Sequence, residues 1–433
     1  MSCGCFKSIL PNGRFASNVL TSLVLGALAT ACVETKQVSI KHTESGLVDS
    51  TRPQSLTSSF PVLNGIDVLV ETDFEWLVGK RVGLITNHTG IDRFRHRTID
   101  LLMDSPKVDL RVLFSPEHGV QGVLDSNIGD SSDQTTGLKV YSLYGQNRAP
   151  QPEQLKELDI LVFDIQDIGA RFYTYISTMG LAMQSAADAE IEFLVLDRVN
   201  PIRGDKVEGP MRQGESDFVA FHNVPVRHGM TTGELAKMFK MELDIPVSLK
   251  VIRIQGWNRS FWFDETGLPW INTSPNMRSL TQSILYPGIG LLETTHLSVG
   301  RGTDTPFERI GAPYINDLQL AEALNRLSFA GIRFVPIVFK PDASVYKGQT
   351  CQGVGILLTN REIVRIVDVG IAIARTLYSL YPEEFGLDRF NRLLKSPSVL
   401  SAIRNHVSTE TIVNEWNEGL ESFKARRQPF LLY

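Results

Sequence analysis

The sequence predicts an α/β fold in which a Rossmann-like, doubly wound parallel sheet is followed by a smaller α/β or α+β domain. Short apolar runs alternate with helical patterns along the first half of the chain, which is the order typical of a parallel sheet. In residues 160–163 the apolar side chains are consecutive, as in strands covered on both faces. The chain of 433 residues is also too long for one ordinary core, so we expect two domains.

The first domain is predicted over residues 62–230. Its four strand candidates are residues 81–87, 108–116, 160–167 and 191–199. Between the last two, large side chains recur at spacings of four and three, which indicates one face of a helix: Phe172, Ile176, Met179, Met183 and Ala187.

The second domain, over residues 231–433, has a less regular pattern. We expect strands at 247–255 and 332–339 and a helix at 363–380, with a polar, glycine-rich stretch at 256–314.

The N-terminus has the pattern of an export signal. Two cations precede a short apolar run, and a small-residue triplet ends directly before Cys32. We therefore predict a signal peptide at residues 1–31, lipid attachment at Cys32 and a flexible tether at 32–60. The mature protein would be a periplasmic or outer-membrane-attached bacterial lipoprotein that meets the membrane only through this anchor.

Composition and motifs argue against several other classes. The net charge of −5 gives no electrostatic footprint for nucleic acid. We expect no cofactor, because the sequence has neither a complete dinucleotide fingerprint nor a phosphate-binding loop. No zinc-binding motif is present, so no metal is predicted.

Polar residues follow all four strand candidates. They occupy residues 86–90, 115–119, 164–169 and 197–201. In an open parallel sheet, ligands bind beyond the carboxyl ends of the strands. Four polar strand ends at one rim therefore predict a binding site there.

These segments carry a resemblance to a known family. Gly-Leu-Ile-Thr-Asn-His-Thr-Gly at 83–90, Ser-Pro-Glu-His-Gly at 115–119, Asp-Ile-Gln-Asp-Ile-Gly at 164–169 with Arg-Phe-Tyr-Thr-Tyr at 171–175, and Ser-Pro-Asn-Met at 274–277 resemble the NamZ-type exo-β-N-acetylmuramidases, formerly the domain of unknown function DUF1343. The similarity keeps its order from about Gly65 to the C-terminus, and Val199 departs from it where the family has proline. It implies release of terminal, non-reducing N-acetylmuramic acid (MurNAc) from peptidoglycan fragments in which MurNAc alternates with N-acetylglucosamine (GlcNAc). It also implies that the active-site cleft lies between the two domains.

Glycoside hydrolysis requires an acid for the leaving oxygen and a second carboxylate that attacks or activates water. Glu117, directly after an apolar strand, is our candidate for the acid, with His118 beside it. Asp167 and Asp164 are the candidates for the partner, with Glu208 behind them. Strand alternation allows at most one of the two aspartates to face the sugar.

MurNAc differs from GlcNAc by a lactyl ether with a carboxylate, which the planar fork of an arginine recognises best. Arg171 is the first candidate for this contact, followed by Arg278 and Arg301, although Arg171 could instead orient the nearby aspartates. The remaining predicted substrate-binding residues are Asn87, His88, Tyr173, Asn200, Glu208 and Asn276.

Two other readings remain open at this point. A non-catalytic lipoprotein that binds muropeptides or sugars would use the same cleft without turnover. A metal-dependent phosphoesterase would use the aspartates, although the histidine spacing that would fix a metal is missing.

Overall fold

The computed structural model describes residues 61–117, 119–120, 129–145 and 147–433. Its first half contains a seven-stranded sheet: β1 (Arg81–Thr86), β2 (Asp109–Ser115), β3 (Ser131–Ser132), β4 (Lys139–Ser142), β5 (Ile160–Asp164), β6 (Glu192–Leu196) and β7 (Ser248–Ile252). The strand order is β3-β4-β2-β1-β5-β6-β7, and all neighbours are parallel except β3 and β4. The predicted parallel sheet and its four strands are confirmed, and the order reverses direction between β1 and β5.

Helices cover both faces of this sheet: α1 (Gly65–Glu71), α2 (Thr98–Asp104), α3 (Pro152–Leu155), α4 (Tyr175–Asp188) and α5 (Thr232–Glu242). Alternate side chains of β5 point to opposite faces. Val162 packs in the core with α1 and α2, and Phe163 packs in the core with α4 and α5. Burial on both faces explains the consecutive apolar residues in the sequence.

The sheet extends beyond the predicted boundary at residue 230. The segment assigned to the second domain as residues 247–255 forms β7, which pairs in parallel with β6. Helix α5, which joins these strands, begins with a capping box in which Thr231 and Glu234 bond to each other's backbone. The helix and the strand therefore continue the doubly wound pattern.

The C-terminal half contains a three-stranded antiparallel sheet in the order β8-β10-β9 and a group of helices. Its elements are α6 (Leu280–Ile289), β8 (Arg309–Ala312), α7 (Asp317–Arg326), β9 (Ile332–Phe339), β10 (Cys351–Leu358), α8 (Ile366–Leu380), α9 (Leu387–Leu394), α10 (Pro397–Arg404), α11 (Thr409–Glu415) and α12 (Asn417–Arg427). Of the two predicted classes this is α+β, because the strands are antiparallel. The predicted strand at 332–339 is confirmed.

One hydrophobic core runs from the α4 side of the large sheet into the C-terminal half, and includes Phe163 of β5 and Val354 of β10. Within the described ranges, no helix is both long and apolar enough to cross a membrane. The predictions for the signal peptide, Cys32, the tether up to residue 60 and His118 lie outside the described residues.

Candidate active site

A pocket of about 250 Å³ lies where the large sheet meets the C-terminal half. The sheet domain contributes Glu117, residues 172–175, Ser274, Asn276 and Met277, and the C-terminal half contributes side chains between 286 and 307 together with Leu393. The first two segments follow β2 and β5, so the predicted position beyond the carboxyl ends of the strands is correct for this pocket.

Glu117 enters the pocket because β2 ends two residues before it and Pro116 stops the strand. Its side chain is half-buried. The hydroxyl of Thr174, the residue before α4, donates to Glu117 Oε2 at 3.3 Å. The carboxyl group thus faces the pocket and has a polar neighbour at the start of α4.

A second carboxylate, Glu293, faces the same pocket from the C-terminal half. It lies in the short 3₁₀ turn Gly290–Thr294 and forms an ion pair with Arg301. Asn276 accepts hydrogen bonds from Arg301 Nε and Nη2, both at 3.2 Å. About a quarter of the Glu293 and Arg301 side chains is exposed, 23% and 26% respectively, so both can meet a ligand.

Aromatic rings form the apolar wall of the pocket. Tyr286 packs edge-to-face on Tyr173 and on Phe307, with ring centroids 5.8 and 4.8 Å apart. The hydroxyls of Tyr173 and Tyr175 are held by Thr273, the first through Oγ1 at 3.0 Å and the second through the carbonyl at 2.9 Å. A preformed apolar pocket with a few polar groups is the usual form of a small-ligand site.

The structure corrects two of the predicted carboxylates. Asp164 is fully buried and receives two hydrogen bonds from Arg198, at 2.6 and 2.9 Å. Glu208 is buried in an ion pair with Arg227. Both acids neutralise an internal arginine, because a buried charge is tolerated only when it is paired. Neither faces the pocket.

Arg171 is also corrected, both as a reader of the lactyl group and as a partner of the aspartates. Only 1% of it is exposed. Its guanidinium donates to backbone carbonyls of Pro210, Val224, Leu393 and Leu394 at 2.5–3.3 Å. Burial lowers the pKa of Arg171 to about 9. This arginine ties the sheet domain to the end of α9 rather than binding a sugar.

The predicted asparagines after β1 and β6 do not line the pocket. Asn87 is buried and its Oδ1 accepts from both the amide and the hydroxyl of Thr89, at 2.9 and 2.6 Å. Asn200 is buried, donates to the Met230 carbonyl at 3.0 Å and accepts from the Ile202 amide at 3.1 Å. These are loop hydrogen bonds of the kind that Asn commonly makes. His88 contacts the Asn272 carbonyl through Nε2 and does not line the pocket.

Asp167 is buried away from the pocket and accepts from the Gly169 amide at 2.7 Å. Its Oδ2 lies 3.8 Å from Nε2 of the buried His228. Burial raises the pKa of Asp167 to about 7 and lowers that of His228 to about 3. Between about pH 3 and pH 7 both groups therefore prefer their neutral forms. Asp167 does not line the pocket as a partner of Glu117.

The raised pKa of Asp167 predicts a specific pH dependence of stability. The ordinary pKa of the Asp167 carboxyl is 3.8, and its pKa in the folded protein is about 7. Its contribution to the free energy of unfolding is therefore fully present below about pH 4 and is lost as the pH rises to about 7. The Asp167→Asn protein cannot ionise at this position and does not lose that contribution. We therefore expect its free energy of unfolding to increase relative to that of the parent by up to about 1.4 kcal/mol for each pH unit across that window. Urea unfolding of both proteins at several pH values measures this, and a difference that does not change with pH would show that Asp167 ionises normally in the fold.

Sequence reasoning missed Glu293. It stands in a turn with no motif around it, and only its separation of eight residues from the candidate Arg301 could have drawn attention to it. Arg278 was predicted in the site but lines a neighbouring groove instead. Among the described residues, no group of three His, Cys, Asp or Glu side chains is arranged to hold a metal ion.

Comparisons with known proteins identify the family to which the chain is similar. Residues 82–281 match the family model described as exo-β-N-acetylmuramidase NamZ, N-terminal, and residues 284–433 match its C-terminal counterpart. The chain is 42% identical to the peptidoglycan β-N-acetylmuramidase NamZ of Bacillus subtilis (strain 168), over 86% of this chain and 91% of that protein. It is also similar to the crystal structures of two DUF1343 family proteins of Bacteroides fragilis, with TM-scores of 0.81 and 0.72 at 38% and 30% identity, covering 86% of this chain and 99% of each neighbour.

Proposed function

We propose that this chain, which belongs to the exo-β-N-acetylmuramidase NamZ family, releases terminal MurNAc from the non-reducing end of peptidoglycan glycans with Glu117 and Glu293 as its two carboxylates. The observation that carries the proposal is that these acids come from different halves of the chain and line one pocket. A protein that only bound sugars would not need two acids at that position, and the activity of the family favours turnover.

The proposed chemistry follows from the environments of the two acids. Glu117 gives its proton to the glycosidic oxygen as the bond to the anomeric carbon breaks. Glu293, held in an ion pair with Arg301, is the group that attacks the anomeric carbon or removes a proton from the attacking water. Tyr173 and Tyr286 present apolar ring surface to the sugar and exclude water around it.

A short glycan with MurNAc at its non-reducing end tests the activity. Incubation with the purified protein is expected to release free MurNAc, detected by mass analysis, and to leave a chain that begins with GlcNAc. Binding of the glycan without any released MurNAc would support a non-catalytic sugar-binding protein instead.

Arg301 is the proposed reader of the lactyl carboxylate. It lines the pocket, is partly exposed and presents a guanidinium there, whereas Arg171 is buried and Arg278 lies outside. Arg301→Ala should cost about 2–5 kcal/mol in kcat/KM on a MurNAc-terminated glycan, as for a truncated buried charge pair. If the parent also cleaves a GlcNAc-terminated glycan, the loss of kcat/KM on that substrate should be much smaller.

Arg301→Lys is the matched control because it keeps the positive charge beside Glu293 but loses the fork. It should recover part of the activity and little of the preference for MurNAc. An equal loss on both sugars in Arg301→Ala would mean that Arg301 serves only to orient Glu293.

Export and lipidation belong to the same proposal. The charged and apolar pattern before Cys32 supports cleavage at that residue, attachment of lipid and residence in the periplasm or on the outer membrane. We expect Cys32→Ser to move the protein from the membrane fraction to the soluble fraction, measured by fractionation and mass spectrometry of the mature N-terminus. Unchanged membrane partitioning of a processed Cys32→Ser protein would identify an ordinary secretory signal.

A further inference from the structure

A second groove of about 460 Å³ adjoins the active-site pocket. In each of two short chain segments, one residue lines the pocket and a residue next to it or two positions further on lines the groove. Asn276 lines the pocket and Arg278 lines the groove; Arg301 lines the pocket and Gly302 lines the groove. The two cavities therefore share one wall, built by residues 276–278 and 301–303.

This shared wall is fixed on both of its sides. On the pocket side Arg301 donates to Asn276 at 3.2 Å, and on the groove side Arg278 donates to the Thr303 carbonyl at 3.4 Å. Gly302 has a φ of 77°, and a Cβ there would lie 2.4 Å from the backbone nitrogen of Ala343. The wall consequently packs tightly against the segment after β9.

The groove has a polar, mixed-charge lining. Three cations face it, Arg278, Arg309 and Lys340, against two acids, Asp304 and Asp342. Arg309 is held in place by Thr305, which accepts from Nε at 2.8 Å, and by the ring of Phe339, 5.7 Å from the guanidinium carbon. Lys340 is exposed at the groove edge, and no ion pair is formed by it within the described ranges. The excess of cations contrasts with the net charge of −5 of the whole chain.

We propose that this groove is the subsite for the part of the glycan that remains after the terminal MurNAc, and that its cations recognise the carboxylate of the next MurNAc along the chain. This inference rests on the proposed function. The terminal sugar occupies the pocket, so the rest of the chain must leave past an adjoining surface. The first residual unit is neutral GlcNAc and the second carries a lactyl carboxylate, for which arginine and lysine are the matching groups. Asp304 and Asp342 can accept hydrogen bonds from sugar hydroxyls.

Lys340 gives the cleanest test because it is exposed and its replacement should not disturb the fold. The substrates are the disaccharide MurNAc–GlcNAc, which lacks a second carboxylate, and the tetrasaccharide MurNAc–GlcNAc–MurNAc–GlcNAc. We expect Lys340→Gln to lower kcat/KM for the first cleavage of the tetrasaccharide by about threefold, chiefly through KM, and Lys340→Glu by about tenfold. The ratio of kcat/KM for the tetrasaccharide to kcat/KM for the disaccharide should therefore fall in both variants.

Three controls define the result. Lys340→Arg should keep the ratio, Arg326→Gln on the outer face of α7 should change neither constant, and the advantage of the tetrasaccharide in the parent should shrink as salt is raised. Equal effects of Lys340→Glu on both substrates, or no effect on either, would overturn the subsite.

Calorimetric binding of the trisaccharide GlcNAc–MurNAc–GlcNAc separates this inference from the proposed function, because binding requires no turnover. Salt-sensitive binding that Lys340→Glu weakens would support the subsite even if the parent released no MurNAc, in which case the proposed function alone would fail. Release of MurNAc by the parent together with trisaccharide binding that Lys340→Glu leaves unchanged would support the function and refute the subsite.

Discussion

Glu117→Gln is expected to lower the rate of MurNAc release from a natural glycan by about 10²–10⁴-fold, because the amide keeps the shape of the side chain but has no proton to transfer. The hydrogen bond from Thr174 to Glu117 can still form with the amide oxygen, so the fold and the binding of the glycan should persist. Initial rates by mass analysis measure the loss, and circular dichroism together with calorimetric binding checks the fold.

An activated leaving group provides the control for this variant. A nitrophenyl MurNAc glycoside needs no protonation of its leaving oxygen, so Glu117→Gln should lose far less activity on it than on the glycan. Activity within about tenfold of the parent on the natural glycan would remove Glu117 from the role of the acid.

Glu293→Ala is expected to lose a comparable 10²–10⁴-fold in kcat, roughly, on both the glycan and the nitrophenyl glycoside, because the second carboxylate is needed whatever the leaving group. A small anion such as azide or formate can enter the space left by the side chain and take over the missing negative charge. We expect added azide or formate to restore part of the activity of Glu293→Ala. Neither anion should restore the activity of Glu117→Gln on the glycan.

The pairing of Glu293 with Arg301 supplies a competing outcome. If Glu293 serves only to hold the guanidinium, Glu293→Ala should weaken recognition of MurNAc through KM, leave kcat near that of the parent and gain nothing from added anions. In that case Glu293→Asp, which retains the charge on a shorter side chain, should behave like the parent. If Glu293 is instead a catalytic group, Glu293→Asp should remain strongly impaired because its carboxylate is displaced from the anomeric carbon.

The fold was predictable wherever burial leaves a pattern in the sequence. The alternate packing of Val162 and Phe163 on two faces of β5 produces consecutive apolar residues, and these predicted the parallel sheet. The seventh strand was assigned to the wrong domain because its residues carry no signal of their pairing partner. Only the three-dimensional register of β7 on β6 settles that assignment.

The site was less predictable because polar residues at strand ends serve two purposes that look alike in a sequence. Glu117 follows an apolar strand and Asp164 ends one, yet Glu117 faces a pocket and Asp164 neutralises the buried Arg198. Arg171 satisfies carbonyls from distant parts of the chain, including Leu394, and no local pattern reveals such a role. Glu293 reaches the pocket through the packing of the two halves, which local sequence does not encode.

A crystal structure of Glu117→Gln with MurNAc–GlcNAc bound tests the central claim most directly. We expect the terminal ring against the wall formed by Tyr173 and Tyr286, its glycosidic oxygen within hydrogen-bond distance of the substituted side chain at position 117, its anomeric carbon facing Glu293 and its lactyl carboxylate on Arg301. A disaccharide bound elsewhere, or bound in this pocket with the glycosidic oxygen turned away from position 117, would contradict the account.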